Sequence, residues 1–130
     1  MSMDTIGNFL TIIRNGIQVS KPFVIVPYSK MNKAISDILI KEGFIRSTQE
    51  AEEGGKKVLK VGLKYVGGES AIHELKRVSK LSRRNYSGVS EIKPVIGGLG
   101  ISILTTNRGV VTQKEAKKLG VGGEVICTVW

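Results

Sequence analysis

The sequence predicts an α+β protein in two parts. The N-terminal α/β half carries two helices on a small three-stranded sheet, and the C-terminal half is mostly antiparallel β with short helices. Three observations predict this. Apolar residues recur at helical spacing twice before Gly43. Lys56 to Tyr65 then alternates apolar and polar side chains, as a half-buried strand does. Beyond Gly97-Gly98, two apolar strands flank one short basic helix.

In chain order, Ile6, Phe9, Leu10, Ile13 and Ile17 form one face of an amphipathic helix. Asp4 stands where an N-cap or first-turn acid belongs, and Arg14 and Asn15 close the helix. Phe23 to Val26 reads as a short buried strand stopped by Pro27. Ser29 caps a second helix with Met31, Ile35, Ile38 and Leu39 inward and Gly43 at its end. Phe44 to Ser47 begins another strand, and Glu50 to Gly55 reads as a charged turn with Gly54-Gly55 as the reversal. In the following strand Leu59, Val61, Leu63 and Tyr65 point one way, and Lys60, Gly62 and Lys64 the other. Gly67-Gly68 marks a boundary between a domain of residues 1–66 and one of residues 69–130.

In the second part, Ala71 to Val78 fits helix or strand by pattern alone, and Lys80 to Ser90 is a basic connection holding Tyr86. The apolar run Leu99 to Leu104 ends in a polar turn, Thr105-Thr106-Asn107-Arg108-Gly109. Thr112-Gln113-Lys114-Glu115 matches a helix capping box, and Gly120 is a natural stop. Val125 to Trp130 is a final strand.

Composition narrows the function classes. Hydrophobic residues make up 41% of the 130, enough for a core, but aromatics are only 5%, so Ile, Val and Leu must build it. The net charge of +9 favours a polyanionic partner. It is uneven: residues 1–72 hold 10 Lys and Arg against 7 Asp and Glu, whereas residues 73–130 hold 10 against 4. No apolar run approaches the ~20 residues that span a bilayer, so no membrane role is expected. The start, MSMDTIGNFL, lacks the pattern of a signal peptide. One cysteine permits no internal disulfide, which fits a reducing, cytoplasmic setting.

Enzyme chemistry finds little material. His73 and Cys127 are single copies of their kinds. A Ser-His-Asp or Cys-His arrangement would have to be assembled from these, and a zinc site needs about three or four ligands. His73 reads as structural and Cys127 as a small core residue. Gly98 and Gly100 lack the third glycine of a dinucleotide fingerprint, since Ile103 occupies its place. No catalytic residue, metal, cofactor or small-molecule substrate is expected.

Nucleic acid fits better. Phosphate-binding candidates cluster at Lys76, Arg77, Lys80, Arg83 and Arg84, and again at Arg108, Lys114, Lys117 and Lys118, with a further row at Lys56, Lys57, Lys60 and Lys64. The helix after Thr112 is too short to read a DNA major groove. The shallow minor groove of RNA is read by short polar groups at close range. Thr105, Thr106 and Asn107 are such groups, Gly109 lets the backbone approach, and Arg108 pairs with phosphate or stacks on a base. Chemistry alone leaves this tip equally open to being an ordinary polar hairpin turn. Glu124 is an acid in the most basic half, either a solubilising charge or an acceptor for base amines and hydroxyls. Tyr86 offers a ring for stacking or for capping the sheet.

Gly98-Leu99-Gly100-Ile101, the Thr105–Gly109 tip, Thr112 to Leu119 and Gly122 to Cys127 together resemble one family, the bacterial-type small-subunit ribosomal protein eight. Asp4-Thr5-Ile6, Leu10-Thr11, Ile13-Arg14-Asn15, and Arg77-Val78-Ser79 followed by Tyr86 add to the resemblance, which covers the whole chain. Asn107 departs from the usual serine, and Ile12 from a common arginine. The resemblance favours a strand within Ala71–Val78. It implies a structural component of the small ribosomal subunit, working on cytoplasmic or organellar ribosomes. Such a protein binds the central domain of small-subunit ribosomal RNA directly, helps organise its assembly and touches neighbouring subunit proteins. Some members also repress their own messenger RNA. The RNA-binding residues it implies are Thr105, Thr106, Asn107, Arg108, Gly109, Glu124, Tyr86, Arg84, Lys114 and Lys117, with a secondary contact at Arg14, Asn15, Ser29 and Lys30. The rivals are a general RNA- or DNA-binding module without a ribosomal role, and a small enzyme using Glu124 or His73.

Overall fold

The computed structural model describes residues 5–79, 86–88 and 100–130. Asp4, Lys80, Arg83, Arg84, the segment Glu91–Val95, Gly97-Gly98 and Leu99 lie outside the described residues. The chain divides into two compact units, Met1–Ile72 and His73–Trp130.

The first unit is α1 (Thr5–Gln18), β1 (Phe23–Pro27), α2 (Lys30–Lys41), β2 (Ile45–Glu53), β3 (Lys56–Leu63), β4 (Tyr65–Val66) and β5 (Glu69–Ser70). β1, β3 and β2 form an antiparallel sheet in that order. Val24, Val26, Leu59, Val61 and Leu63 are buried on one face, together with Phe9, Leu10 and Ile13 of α1 and Ile35 and Leu39 of α2. Each such fully buried side chain contributes about 1.5–3 kcal/mol of transfer free energy. The helical and alternating patterns of the sequence meet in this one core.

Several expectations shift. Glu50 to Glu53 is strand, not turn. Glu52 pairs with Lys57 and Glu53 with Lys56 across the ladder, and the Lys57 ammonium reaches the Glu50 carboxylate at 2.6 Å. Opposite charges directly across an antiparallel pair favour its continuation. That bond to Glu50 raises the Lys57 pKa. The reversal falls on Gly54-Gly55, both at positive φ (+59° and +78°), as a two-residue hairpin turn demands. β1 alternates, with Phe23 and Pro27 exposed, instead of being buried throughout, because core packs on only one face of its sheet.

α1 runs on past Asn15 to Gln18, and Gly16 within it is buried against Val24 with no room for a β-carbon. In α2, Asn32 and Ser36 are buried, while Met31 and Ile38 are half-buried. The Asn32 side-chain amide donates to the Pro27 carbonyl at 3.0 Å, tying α2 to β1. Gly67-Gly68 turns the small β4–β5 hairpin, and the first unit runs on to Ile72.

The second unit contains β6 (Leu75–Arg77), β7 (Tyr86–Ser87), β8 (Ile101–Thr106), β9 (Gly109–Thr112), α3 (Gln113–Leu119) and β10 (Gly123–Val129). β10 pairs with β8 along one edge and with β6 and β7 along the other, and β9 pairs with β8. The strand within Ala71–Val78 is β6. β9 is absent from the sequence reading, although Val110 and Val111 carry its β-branched signal. α3 is capped by the Thr112 hydroxyl, which accepts from the Glu115 amide at 3.3 Å, and stopped by left-handed Gly120. Buried Gln113 fastens it to β8, accepting from the Ser102 amide at 2.7 Å. Leu104, Val111 and Ala116 form the core beneath it, with Val121 and Val125 against them.

Candidate nucleic-acid interface

The register of three strands brings the main candidates together. Thr105 on β8 stands opposite Glu124 on β10, and Glu124 stands opposite Tyr86 on β7. These three therefore form one row across the sheet. Tyr86 is 70% exposed, an apolar ring left open to contact. Thr105 and Glu124 are half-buried.

The β8–β9 turn continues from this row. Thr106 pairs with Gly109, and Asn107 and Arg108 make the two-residue turn between them. The Thr106 hydroxyl accepts from the Arg108 amide at 3.0 Å and donates to the Gly109 carbonyl at 2.9 Å. Its proton is committed inside the turn, so Thr106 shapes the tip. Asn107, Arg108 and Gly109 are exposed at its end.

Glu124 is held from the side by Ser79, to which its place in the Arg77-Val78-Ser79 motif assigns no role. The Ser79 hydroxyl donates to Glu124 Oε2. Ser79 reaches it because β6 is prolonged along β10: the Val78 and Ser79 amides each donate at 3.0 Å, to the Ile126 and Val125 carbonyls. Arg77 Nε donates to the Ser79 carbonyl and fixes this end. The only sequence signal for Ser79 was a hydroxyl immediately before a basic run. A carboxylate presented in a fixed rotamer accepts hydrogen bonds without first losing side-chain entropy.

Lys114, Lys117 and Lys118 are exposed on α3, while Ala116 and Gln113 on its other side are buried. α3 thus offers its ammonium groups to solvent from a helix anchored at both ends. Lys76 is exposed and Arg77 half-buried on β6. Arg84 lies outside the described residues.

The secondary candidates belong to the first unit. Arg14 and Asn15 are exposed on α1, and Arg14 donates weakly to Thr11 Oγ1 at 3.4 Å. The Ser29 hydroxyl accepts from the Asn32 amide at 2.9 Å as the α2 cap, which occupies it locally; Lys30, the first helical residue, is exposed. The lysine row of β3 is split. Lys57 is neutralised by Glu50 and stacks over Tyr28, whereas Lys60 lies on the opposite face over Phe23.

His73 packs its ring 5.4 Å from that of Trp130, and Cys127 is fully buried in β10, where burial pushes its thiol up to about 12. Among the described residues, no group of three or more His, Cys, Asp or Glu side chains gathers to hold a metal ion. Nor is any described helix long and apolar enough to cross a membrane.

The family model described as ribosomal protein S8 matches residues 4–130. The chain belongs to the ribosomal protein S8 family. Relatives named small ribosomal subunit protein uS8 agree over full length. That of Caldicellulosiruptor bescii is 46% identical over 129 residues, covering 98% of each chain. Those of Thermodesulfovibrio yellowstonii and Fervidobacterium nodosum are 47% and 48% identical and are covered completely. S8 proteins are structural, so this chain is not an enzyme.

Proposed function

We propose that this protein is a structural component of the small ribosomal subunit in the cytoplasm, binding the central domain of small-subunit ribosomal RNA directly and touching neighbouring subunit proteins. The observation that carries the reading is the row of Thr105, Glu124 and Tyr86 on three paired strands, with Asn107 and Arg108 at its end. That surface combines a stacking ring, a fixed acceptor and short polar groups, which suits the sugar edge and base edges of an irregular RNA helix. Lys114 and Lys117 supply phosphate attraction without sequence information, while the row supplies selection.

Chemical footprinting of small-subunit RNA with and without the pure protein tests this. Protection should concentrate on one irregular helix of the central domain and persist when salt screens phosphate contacts. Protection scattered over any duplex, vanishing with salt, would support the general-module rival instead. Repression of its own messenger belongs to the same proposal: a messenger fragment should compete with ribosomal RNA for this surface, and failure to compete removes that part.

A further inference from the structure

We infer that the first unit carries a site for unpaired nucleotides of single-stranded RNA, separate from the hairpin tip, formed by the helix-free face of the β1–β3–β2 sheet at Phe23 and the groove at its edge, which borders the implied secondary contact at Asn15. The choice of RNA rests on the proposed function; the site itself rests on the first unit alone. The register places Phe23, Gly62 and Ser47 in one row and Ile25, Lys60 and Gln49 in the next. These rows lie on the face opposite the buried Val24, Leu59 and Val61.

Three features of this face point to a nucleotide. Phe23 is 41% exposed, and the Lys60 ammonium lies 4.1 Å from its ring centroid. The lysine stem is flexible, so a base can take the ring face while the ammonium turns to the adjoining phosphate. Second, the charge is open. Unlike Lys57, neither Lys60 nor Arg46 has an ion pair among the described residues, and the carboxylate on this face, Glu53, is opposite Lys56 at the far end. Third, at the edge of this face a groove of about 550 Å³ runs between α1 (Ile12, Asn15) and β1 (Phe23, Val24, Ile25), with Val19 and Lys21 beside it. Its volume suits a small ligand. Its lining joins apolar walls to an amide that can both donate to and accept from a base edge. The surplus of cations over carboxylates favours a polyanion over an apolar peptide strand.

The test uses the full chain, a fluorescein-labelled oligouridine and fluorescence polarisation at low salt. Phe23→Leu removes the ring but keeps the bulk, and Lys60→Gln removes the charge. Each should weaken oligouridine binding about five-fold or more, while Glu124→Ala leaves it at the wild-type value. A folded fragment of the ribosomal target should behave the other way, losing affinity with Glu124→Ala and keeping it with Phe23→Leu. If Phe23→Leu fails to fold, Lys60→Gln decides alone. Wild-type protein that ignores oligouridine overturns the inference. So does unchanged binding by both variants, which leaves the face to a protein partner. Oligouridine binding lost only with Glu124→Ala also overturns it, because the single strand then uses the hairpin tip. Glu124→Ala binding the folded fragment normally would count against the tip and leave this site standing.

Discussion

Gly123 stands so close to Thr105 that a β-carbon on the glycine would lie 2.3 Å from the Thr105 carbonyl oxygen and 2.8 Å from Thr106 Cγ2. The obstacle is backbone, held in the ladder between β8 and β10, so it cannot swing aside as a side-chain end does. The absence of a side chain at Gly123 is what lets the next pair, Glu124 and Thr105, meet in register. Gly123→Ala should therefore cost about 1–3 kcal/mol of stability, the usual size for an overpacked site, and weaken RNA binding beyond that of other equally destabilised variants. Urea denaturation and titration with a central-domain RNA fragment check both. An unchanged urea midpoint would show that the strands can separate freely there.

Glu124→Ala should weaken specific RNA binding by about 1–3 kcal/mol, as should Asn107→Ala, the range for a lost hydrogen bond to a buried or charged partner. Ser79→Ala acts through the carboxylate it orients. Its loss should be smaller, about 0.5–1.5 kcal/mol, and should disappear in a Glu124→Ala background. Calorimetric titration of the four proteins of that cycle measures the coupling. Additive losses would mean that Ser79 serves the fold and not the presentation of Glu124.

The helix faces of α1 and α2, the alternation of β3 and the ends of α3 were legible in the sequence because each is written in local spacing or in a cap. What was not legible came from pairing. Glu50 to Glu53 looks like a turn until the lysines across the ladder are known, and Val110-Val111 looks like a link until β8 lies beside it. Chemistry left the tip open to being an ordinary polar turn, the resemblance alone implied its residues, and their division of labour was in neither. Thr106 spends its hydroxyl within the turn, and Glu124 depends on Ser79, 45 positions away in sequence. Such a contact has no period and leaves no local pattern.

Cys127 gives the fold a pH limit. Burial raises its thiol from 9.0 to about 12, with the charge of Arg77 pulling the other way. Below pH 9 both folded and unfolded chains keep the proton, and the contribution to stability is fully present. Between pH 9 and 12 the unfolded chain releases it while the folded chain holds it. Stability should then fall by about 1.4 kcal/mol per pH unit from this group. Lysines and tyrosines titrate in the same window, so the measurement is the difference between wild type and Cys127→Ala in urea midpoint against pH. The wild-type curve should drop more steeply above pH 9. Parallel curves would mean that the thiol is not shielded.

Lys117 should separate attraction from selection. It is exposed on α3, away from the Thr105–Glu124–Tyr86 row in sequence, and the helix that carries it is fixed by the Thr112 cap and by Gln113. Removing its charge should leave the fold and the row unchanged while releasing one fewer counterion on binding. Lys117→Ala should thus weaken binding to cognate and scrambled RNA equally, and reduce the slope of log affinity against log salt by about one. Glu124→Ala should do the reverse, lowering the preference for cognate RNA with the slope unaltered. Polarisation titrations of both variants over a salt series give the slopes directly. A loss confined to the cognate RNA in Lys117→Ala would place that lysine among the selective contacts and break the division between them.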